Sequence, residues 1–373
     1  MSHDPEAKSM APKVLIISSY SGSKTSVRPE AEMVLRLKQA GVHVDLMSAG
    51  DGPYADTFRE HGIHIYPFRS RKKFSRQEIR YIRKTLQQGR YDVVHAFNNR
   101  VVPNTVLAAW DLPVRVVTYR GYTGHLVWYK PTAWLSHLNP QVSRITCVSE
   151  GVTRQVRRQL LFNRDKAVTI YKGHDPQWYS DVKPYTRKEL GLPEDAFVVG
   201  CVANARPMKG IPYLIKASWH LGHHPNIHFM LIGKNMDSRR HTDLIARSPL
   251  RQHFHLPGFQ RDVLNHLAAC DVMVLPSIRG EGLSKVTIEA MSTGMPVIAT
   301  DVGGNAELVL HKKTGWLVPR KSPEKIAEGI EYLHNNPQSA REMGQKGRQH
   351  IRENFHIDQT VQQMKDLYEN LVP

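Results

Sequence analysis

The sequence predicts an α/β protein made of two Rossmann-like domains, each a parallel sheet wrapped by helices. Three observations carry that expectation. A chain of 373 residues is long for one core and suits two. Short runs rich in Val and Ile recur from end to end, and near-continuous apolar character is what parallel strands covered on both faces require. Helical patterns lie between those runs, and such alternation gives a parallel sheet.

In the first half the strand-like runs are KVLIIS (13–18), VHVDLM (42–47), IHIYPF (63–68), YDVVHA (91–96), VRVVTY (114–119), RITCVS (144–149) and AVTIYK (167–172). Glu30–Gln39 and Gln77–Gln88 have helical spacing. Around 179–193 the composition turns to Pro, Gly and charge, as in an interdomain linker. The alternation then restarts with FVVGCV (197–202), IHFMLIG (227–233), HFHLPG (253–258), DVMVLP (271–276), PVIAT (296–300) and GWLVP (315–319). The expected division is 1–184, 185–355 and a terminal helix, 356–373, that crosses back to the first domain. Ligands of such sheets bind outside the carboxyl ends of the strands, so the expected site is a cleft between the domains.

Composition narrows the function classes. Hydrophobic residues are 40% and charged residues 23%, ordinary for a globular protein. No apolar run approaches the roughly 18 residues of a membrane span, and the first residues lack the apolar core of a secretory leader. Cys147, Cys201 and Cys270 are odd in number and far apart, so buried thiols and a cytoplasmic setting are expected rather than a disulfide framework. The net charge of +17 is uneven. Residues 1–185 hold 28 Lys and Arg against 15 Asp and Glu, and the remainder 23 against 19. A basic half attracts phosphates, whether on nucleic acid, lipid or substrate.

The densest chemistry lies in RGEGLSKVTIEAMSTGMPVIATDVGGNAE, 279–307. A loop with Glu281 and Gly282 leads into a helix capped near Ser284; Gly294 and Pro296 end it. The first amides, Leu283, Ser284 and Lys285, are unpaired donors suited to phosphate. Carboxylates on either side, Glu281 and Glu289, suit sugar hydroxyls: hexose toward Glu281, ribose toward Glu289. Upstream, CVANARPMKG sets Lys209 just before Pro212, which fits the first turn of another helix.

This segment closely resembles the E-x7-E region of the retaining glycosyltransferases of family 4, which have the GT-B fold. Glu281 and Glu289 have its spacing, EAMSTGMPVIATDVGG its flank, and LPGFQRDVLNHLAACDVMVLPS, TGWLVP, CVSEGVTRQV and VTIYKGHD extend the likeness over most of the chain. The resemblance implies transfer of a sugar from a nucleotide-diphosphate sugar, with retention, by front-face attack in which the leaving phosphate helps deprotonate the acceptor. Glu281 would contact the donor sugar, and Lys209 the leaving diphosphate. The family's Arg falls at Asn204, so Arg206 and Asn204 are both candidates for its role. Gly22, in SSYSGSKTS, is the only glycine where the family has a glycine-rich loop. The family's His falls at Arg120, which suits an anionic acceptor, while His125 follows five residues on and His95 ends YDVVH nearby. There is no D-x-D triplet, so no metal or separate cofactor is expected; the nucleotide sugar is a co-substrate.

The expected acceptor is a glycan, lipid-linked or phosphorylated. Residues 68–90 carry nine cations against Glu78, with Ile79, Ile82 and Leu86 at helical spacing. They read either as a basic amphipathic helix lying on an anionic membrane, with the protein peripheral on the inner face, or as an ordinary helix with a solvated basic side. The rival functions are a sugar-nucleotide epimerase or hydrolase, an inactive scaffold, and a nucleic-acid binder. The last lacks any zinc-finger, RNP-like or helix-turn-helix pattern, so nucleic acid is not an expected partner.

Overall fold

The computed structural model describes residues 11–124 and 126–372; His125, singled out above, lies outside them. The chain folds into two compact units. The first comprises residues up to Val148, Thr153–Gly173 and the segment from Ile357; the second comprises Ser149–Val152 and His174–His356.

The first unit holds a seven-stranded sheet. Its strands are β1 (Lys13–Ile17), β2 (His43–Ser48), β3 (Ile65–Pro67), β4 (Val93–Ala96), β5 (Arg115–Arg120), β6 (Val142–Cys147) and β7 (Ala167–Thr169). They lie in the order β3-β2-β1-β4-β5-β6-β7, every neighbour parallel. Each expected run became a strand because its Val and Ile residues are covered on both faces. Val14, Leu15, Val93, Val94, Val116 and Val117 are fully buried. The helix Lys24–Gln39 begins earlier than its periodicity suggests, because Ser23 caps it by accepting the Ser26 N–H at 3.3 Å. It packs against the terminal helix Ile357–Glu369.

The second unit holds a six-stranded sheet, β8 (Phe197–Val202), β9 (Ile227–Ile232), β10 (Phe254–Gly258), β11 (Val272–Leu275), β12 (Val297–Thr300) and β13 (Trp316–Val318). Its order is β10-β9-β8-β11-β12-β13, again wholly parallel. Val199, Leu214, Phe229, Val272, Ile298 and Ile330 build its core. Both sheets reverse their strand order once, between β1 and β4 and between β8 and β11. In open sheets of this kind, ligands bind outside the carboxyl ends of the strands at such a reversal.

Two expectations need correction. The supposed linker is part of the second unit. Tyr185 N–H donates to Asn265 O at 3.3 Å, Tyr185 Oη donates to Asp262, and Arg187 Nη2 donates to Asp271 at 2.7 Å. The chain changes units at Gly173–His174 instead. The helix Arg76–Gly89 also has no apolar stripe to offer a membrane. Ile82 and Leu86 are buried and the helix packs on Val102–Ala108; its solvent side carries basic and glutamine side chains with Tyr81. Among the described residues no helix is long and apolar enough to cross a membrane.

Candidate active site

In the second unit, the loops after β8 and β11 carry the predicted donor-side residues to the switch point. After β8 the chain passes Asn204 and Arg206, makes a short 3-10 turn at Pro207–Lys209, and enters the helix Ile211–Ala217 with Pro212 in its first turn. Gly210 joins turn to helix at φ +68°. A side chain there would run into the Pro276 carbonyl at the end of β11. That close approach, with Ile278 N–H donating to Met208 O at 2.8 Å, brings the two loops together.

The consequence is a salt bridge between residues far apart in sequence. Lys209 Nζ donates to Glu281 Oε1 at 2.6 Å, and Ser277 Oγ donates to the same oxygen at 2.5 Å. The Glu281 side chain is only 8% exposed and that of Lys209 25%. A buried carboxylate needs such partners, since desolvation without them is costly. Gly303, at φ +62°, lies against the Glu281 carbonyl so closely that a Cβ would overlap it. The Gly-Gly pair after β12 is thus the floor on which Glu281 rests.

Gly282 and Leu283 lead to Ser284, which occupies the N-cap position of the helix Lys285–Ser292. Its hydroxyl makes no capping bond, so the first-turn N–H groups of this helix keep their capacity to bind an anion. Glu289, one turn in, is 6% exposed and accepts from Lys285 Nζ. Burial raises its carboxyl pKa, and Lys285 opposes that rise. Glu281, Glu289, Lys209 and the helix start therefore share one edge of one sheet. Arg206 and Asn204 are exposed on the same loop; neither side chain has a hydrogen bond among the described residues.

The residues expected on the acceptor side all belong to the first unit. Gly22 is exposed in the loop after β1, immediately before Ser23, the cap of Lys24–Gln39. Arg120, at the end of β5, is 4% exposed. It donates to Gly124 O and to Asn99 Oδ1 at 3.4 Å, and its guanidinium lies 4.2 Å from the centre of the Tyr122 ring. Burial lowers its pKa. His95 is corrected from a site residue to a core residue. It has no exposed surface, and its ring nitrogens bond to Tyr368 Oη at 2.8 Å and Thr146 Oγ1 at 3.1 Å. Burial depresses its pKa to about 3.

Sequence reasoning missed Ser277, Gly210 and Glu307. Glu307 accepts the N–H groups of Glu150 and Gly151 at 2.8 Å each, fixing the start of the helix Glu150–Arg157. Its signal was its place just after the Gly-Gly pair. One group has metal-ligand character among the described residues: His223 and His224, whose Nε2 atoms lie 2.8 and 3.0 Å from Glu331 Oε1. It sits before β9, at the opposite edge from Glu281. A cavity of about 1040 Å³ lined by Ala268, Cys270 and Gly294 also opens at that amino edge; its lining includes no residue predicted for the site.

Comparison with known proteins bears on the family and the fold. Residues 31–178 match the family model described as Glycosyltransferase Family 4, and residues 182–350 match the one described as Glycosyl transferases group 1. An uncharacterized glycosyltransferase of Methanocaldococcus jannaschii is 29% identical over 230 residues, 61% of this chain and 60% of that protein. A UDP-Gal:alpha-D-GlcNAc-diphosphoundecaprenol alpha-1,3-galactosyltransferase of Escherichia coli is 25% identical over 310 residues, 78% of each. The chain spans 60% and 61% of the length of two relatives, from M. jannaschii and Bacillus subtilis. A solved glycosyltransferase from Rickettsia africae superposes with a TM-score of 0.83 at 18% identity, covering 97% of this chain and 98% of that one. HepE of Anabaena, solved with UDP, does so at 0.78 and 20%, covering 96% and 100%. With two parallel-sheet units of the GT-B class and both halves matched by glycosyltransferase family models, this chain belongs to the family 4 type of glycosyltransferases.

Proposed function

We propose that this chain moves a sugar from a nucleotide-diphosphate sugar to a glycan acceptor, free or lipid-linked, with retention at the anomeric carbon and without a metal ion. The observation that carries the reading is the Lys209–Glu281 pair at a sheet switch point, beside the start of Lys285–Ser292. It sets a cation, a carboxylate and a row of N–H donors within one small edge, the set a sugar diphosphate requires.

Each residue then has a role. The amides of Leu283, Ser284 and Lys285 receive the diphosphate, and Gly282 lets it approach the backbone. Lys209 and Arg206 neutralise charge that grows on the leaving diphosphate, with Asn204 as a neutral donor beside them. Glu281 accepts from hydroxyls of the donor sugar, and Glu289 from the ribose. The catalytic contribution is positioning and charge stabilisation, and the leaving phosphate takes the acceptor proton. Gly22 and Arg120 belong to acceptor binding. Solved HepE contains UDP and, in another crystal, UDP-glucose, and the E. coli relative acts on a diphosphoundecaprenol-linked sugar; both support the reading.

The test is a transfer assay with a panel of nucleotide sugars and short glycan acceptors, the product's anomeric configuration read by proton NMR. Acceptor-dependent release of nucleoside diphosphate with retained configuration is expected. Turnover of the sugar nucleotide without acceptor would favour an epimerase or hydrolase instead.

A further inference from the structure

The first unit uses its one acidic residue between 68 and 90 in an unexpected way. Glu78 is 9% exposed and forms no ion pair with the cations around it among the described residues. Its Oε1 accepts the N–H groups of Arg71 at 2.8 Å and Lys72 at 3.2 Å. Its Oε2 accepts Ser70 Oγ at 2.9 Å and Asn104 Nδ2 at 2.7 Å. Asn104, fully buried, also donates to Lys72 O at 2.9 Å and accepts the Ser75 N–H at 3.0 Å. A buried carboxylate and a buried amide thus fasten the loop 70–75 by its backbone, and leave its basic side chains to face outward with their charge intact.

Those side chains meet others at the carboxyl edge of the sheet. A cavity of about 600 Å³ opens outside β1 and β4, the switch point of this unit, lined by Ser18, Ser21, Arg69, Lys73, Asn98 and Arg100 among others. A smaller cavity of about 100 Å³, with Arg120, Tyr122, Lys130 and His137, shares Lys73 and Asn99 with it. Neither lining contains a carboxylate among the described residues. Arg69, in the lining of the larger cavity, is paired to Asp51. Lys73 Nζ has no hydrogen bond or ion pair among the described residues, and Arg100 reaches only Ser70 O, at 3.5 Å. Asn99 Oδ1 is held by Arg120 at 3.4 Å and by His137 Nε2 at 3.1 Å.

We infer that the fastened loop 70–75 and the turn after β4 form an anion site for the acceptor, in which Lys73 and Arg100 bind a phosphate or diphosphate group that the acceptor carries. This rests on the glycosyltransferase reading and names its acceptor class. Two cations without an anionic partner among the described residues, hydroxyls of Ser18 and Ser21, and a lining free of carboxylates match the oxygens of such a group. A neutral glycan would leave those cations uncompensated at the mouth of the site. The phosphate belongs either to a soluble glycan phosphate or to the diphosphate of a lipid-linked glycan; the chemistry of recognition is the same.

The test titrates the full chain with inorganic pyrophosphate by calorimetry, in the absence and presence of saturating UDP. Pyrophosphate should still bind when UDP is present, and Lys73→Ser with Arg100→Ser should weaken that binding by about tenfold or more. Arg80→Ser, on the outer side of the helix, should leave it unchanged. Both target side chains are exposed, so the variants fold; Lys73→Glu should weaken binding further. Binding that vanishes with UDP present, or equal affinity in the double variant, would overturn the site. If UDP itself fails to bind while pyrophosphate binding still depends on Lys73 and Arg100, the donor assignment fails and the anion site stands. A soluble sugar phosphate and the same sugar on a short-chain lipid diphosphate then separate the two sources. Loss of sedimentation with phosphatidylglycerol vesicles in the double variant, with pyrophosphate binding unchanged, would assign these cations to a membrane surface and sink the proposal.

Discussion

Glu281→Gln is expected to strengthen binding of the bare nucleoside diphosphate while abolishing transfer. In the structure Lys209 is not waiting for phosphate; it is tied to Glu281 at 2.6 Å. A diphosphate must draw it away. The pair is partly buried, with the Glu281 side chain 8% and the Lys209 side chain 25% exposed. Its net value, discounted for that exposure, is about 1–2 kcal/mol, between a surface ion pair and a charge-assisted hydrogen bond in the interior. A glutamine keeps the Ser277 bond and the shape but releases Lys209. UDP should therefore bind roughly 5- to 30-fold tighter to Glu281→Gln. Lys209→Met removes the cation itself and should bind UDP more weakly than wild type. Calorimetric titration of the three proteins in the same buffer reads both signs. Equal or weaker UDP binding to Glu281→Gln, together with unchanged binding to Lys209→Met, would refute the exchange of partners.

Two further outcomes follow from the packing. Gly303→Ala forces a non-glycine residue to φ +62° and pushes its Cβ into the Glu281 carbonyl. The left-handed conformation costs about 1–2 kcal/mol and the overlap about 1–3 more. Urea unfolding should show a loss of roughly 2–5 kcal/mol, and UDP binding should fall with it; a variant as stable as wild type would contradict the contact. The second outcome concerns pH. His95 has a folded pKa depressed to about 3, against about 6.5 unfolded. The unfolded chain thus binds more protons in that window, and stability is lost as pH falls below 6.5. Between pH 7.5 and 5 the loss from His95 alone is about 2 kcal/mol. His95→Gln should flatten the dependence by that amount in urea titrations at the two pH values; an identical slope would mean the ring is not buried neutral.

Much of the fold was legible because most of its strands are short, largely apolar runs with frequent Val and Ile. FVVGCV lies in β8, with Val198, Val199 and Cys201 fully buried, and no helical spacing competes with it. The donor helix was legible from local punctuation, since Gly294 does take a positive φ of +85° where the helix stops. What was not legible depends on distance. Lys209 and Glu281 are 72 positions apart, and only the strand order that sets β8 beside β11 joins them. His95 looked like a site residue at a strand end, yet a tyrosine 273 positions away covers it. The stretch 179–193 reads as a linker by composition, but single long-range anchors such as Arg187 to Asp271 outweigh composition. The stripe of Ile82 and Leu86 has the same spacing whether it faces lipid or core, and the neighbouring helix Val102–Ala108 decides for the core.

The central claim, that a nucleotide diphosphate is held on the helix Lys285–Ser292, is open to one direct measurement. It is a thermal-shift screen of wild type and Glu289→Ala against UDP, GDP, ADP, CMP and their common sugars. The account expects one nucleoside diphosphate to raise the wild-type midpoint and its sugar to raise it further, with both shifts lost in Glu289→Ala. A shift of equal size in the variant would place the nucleotide elsewhere and contradict the account.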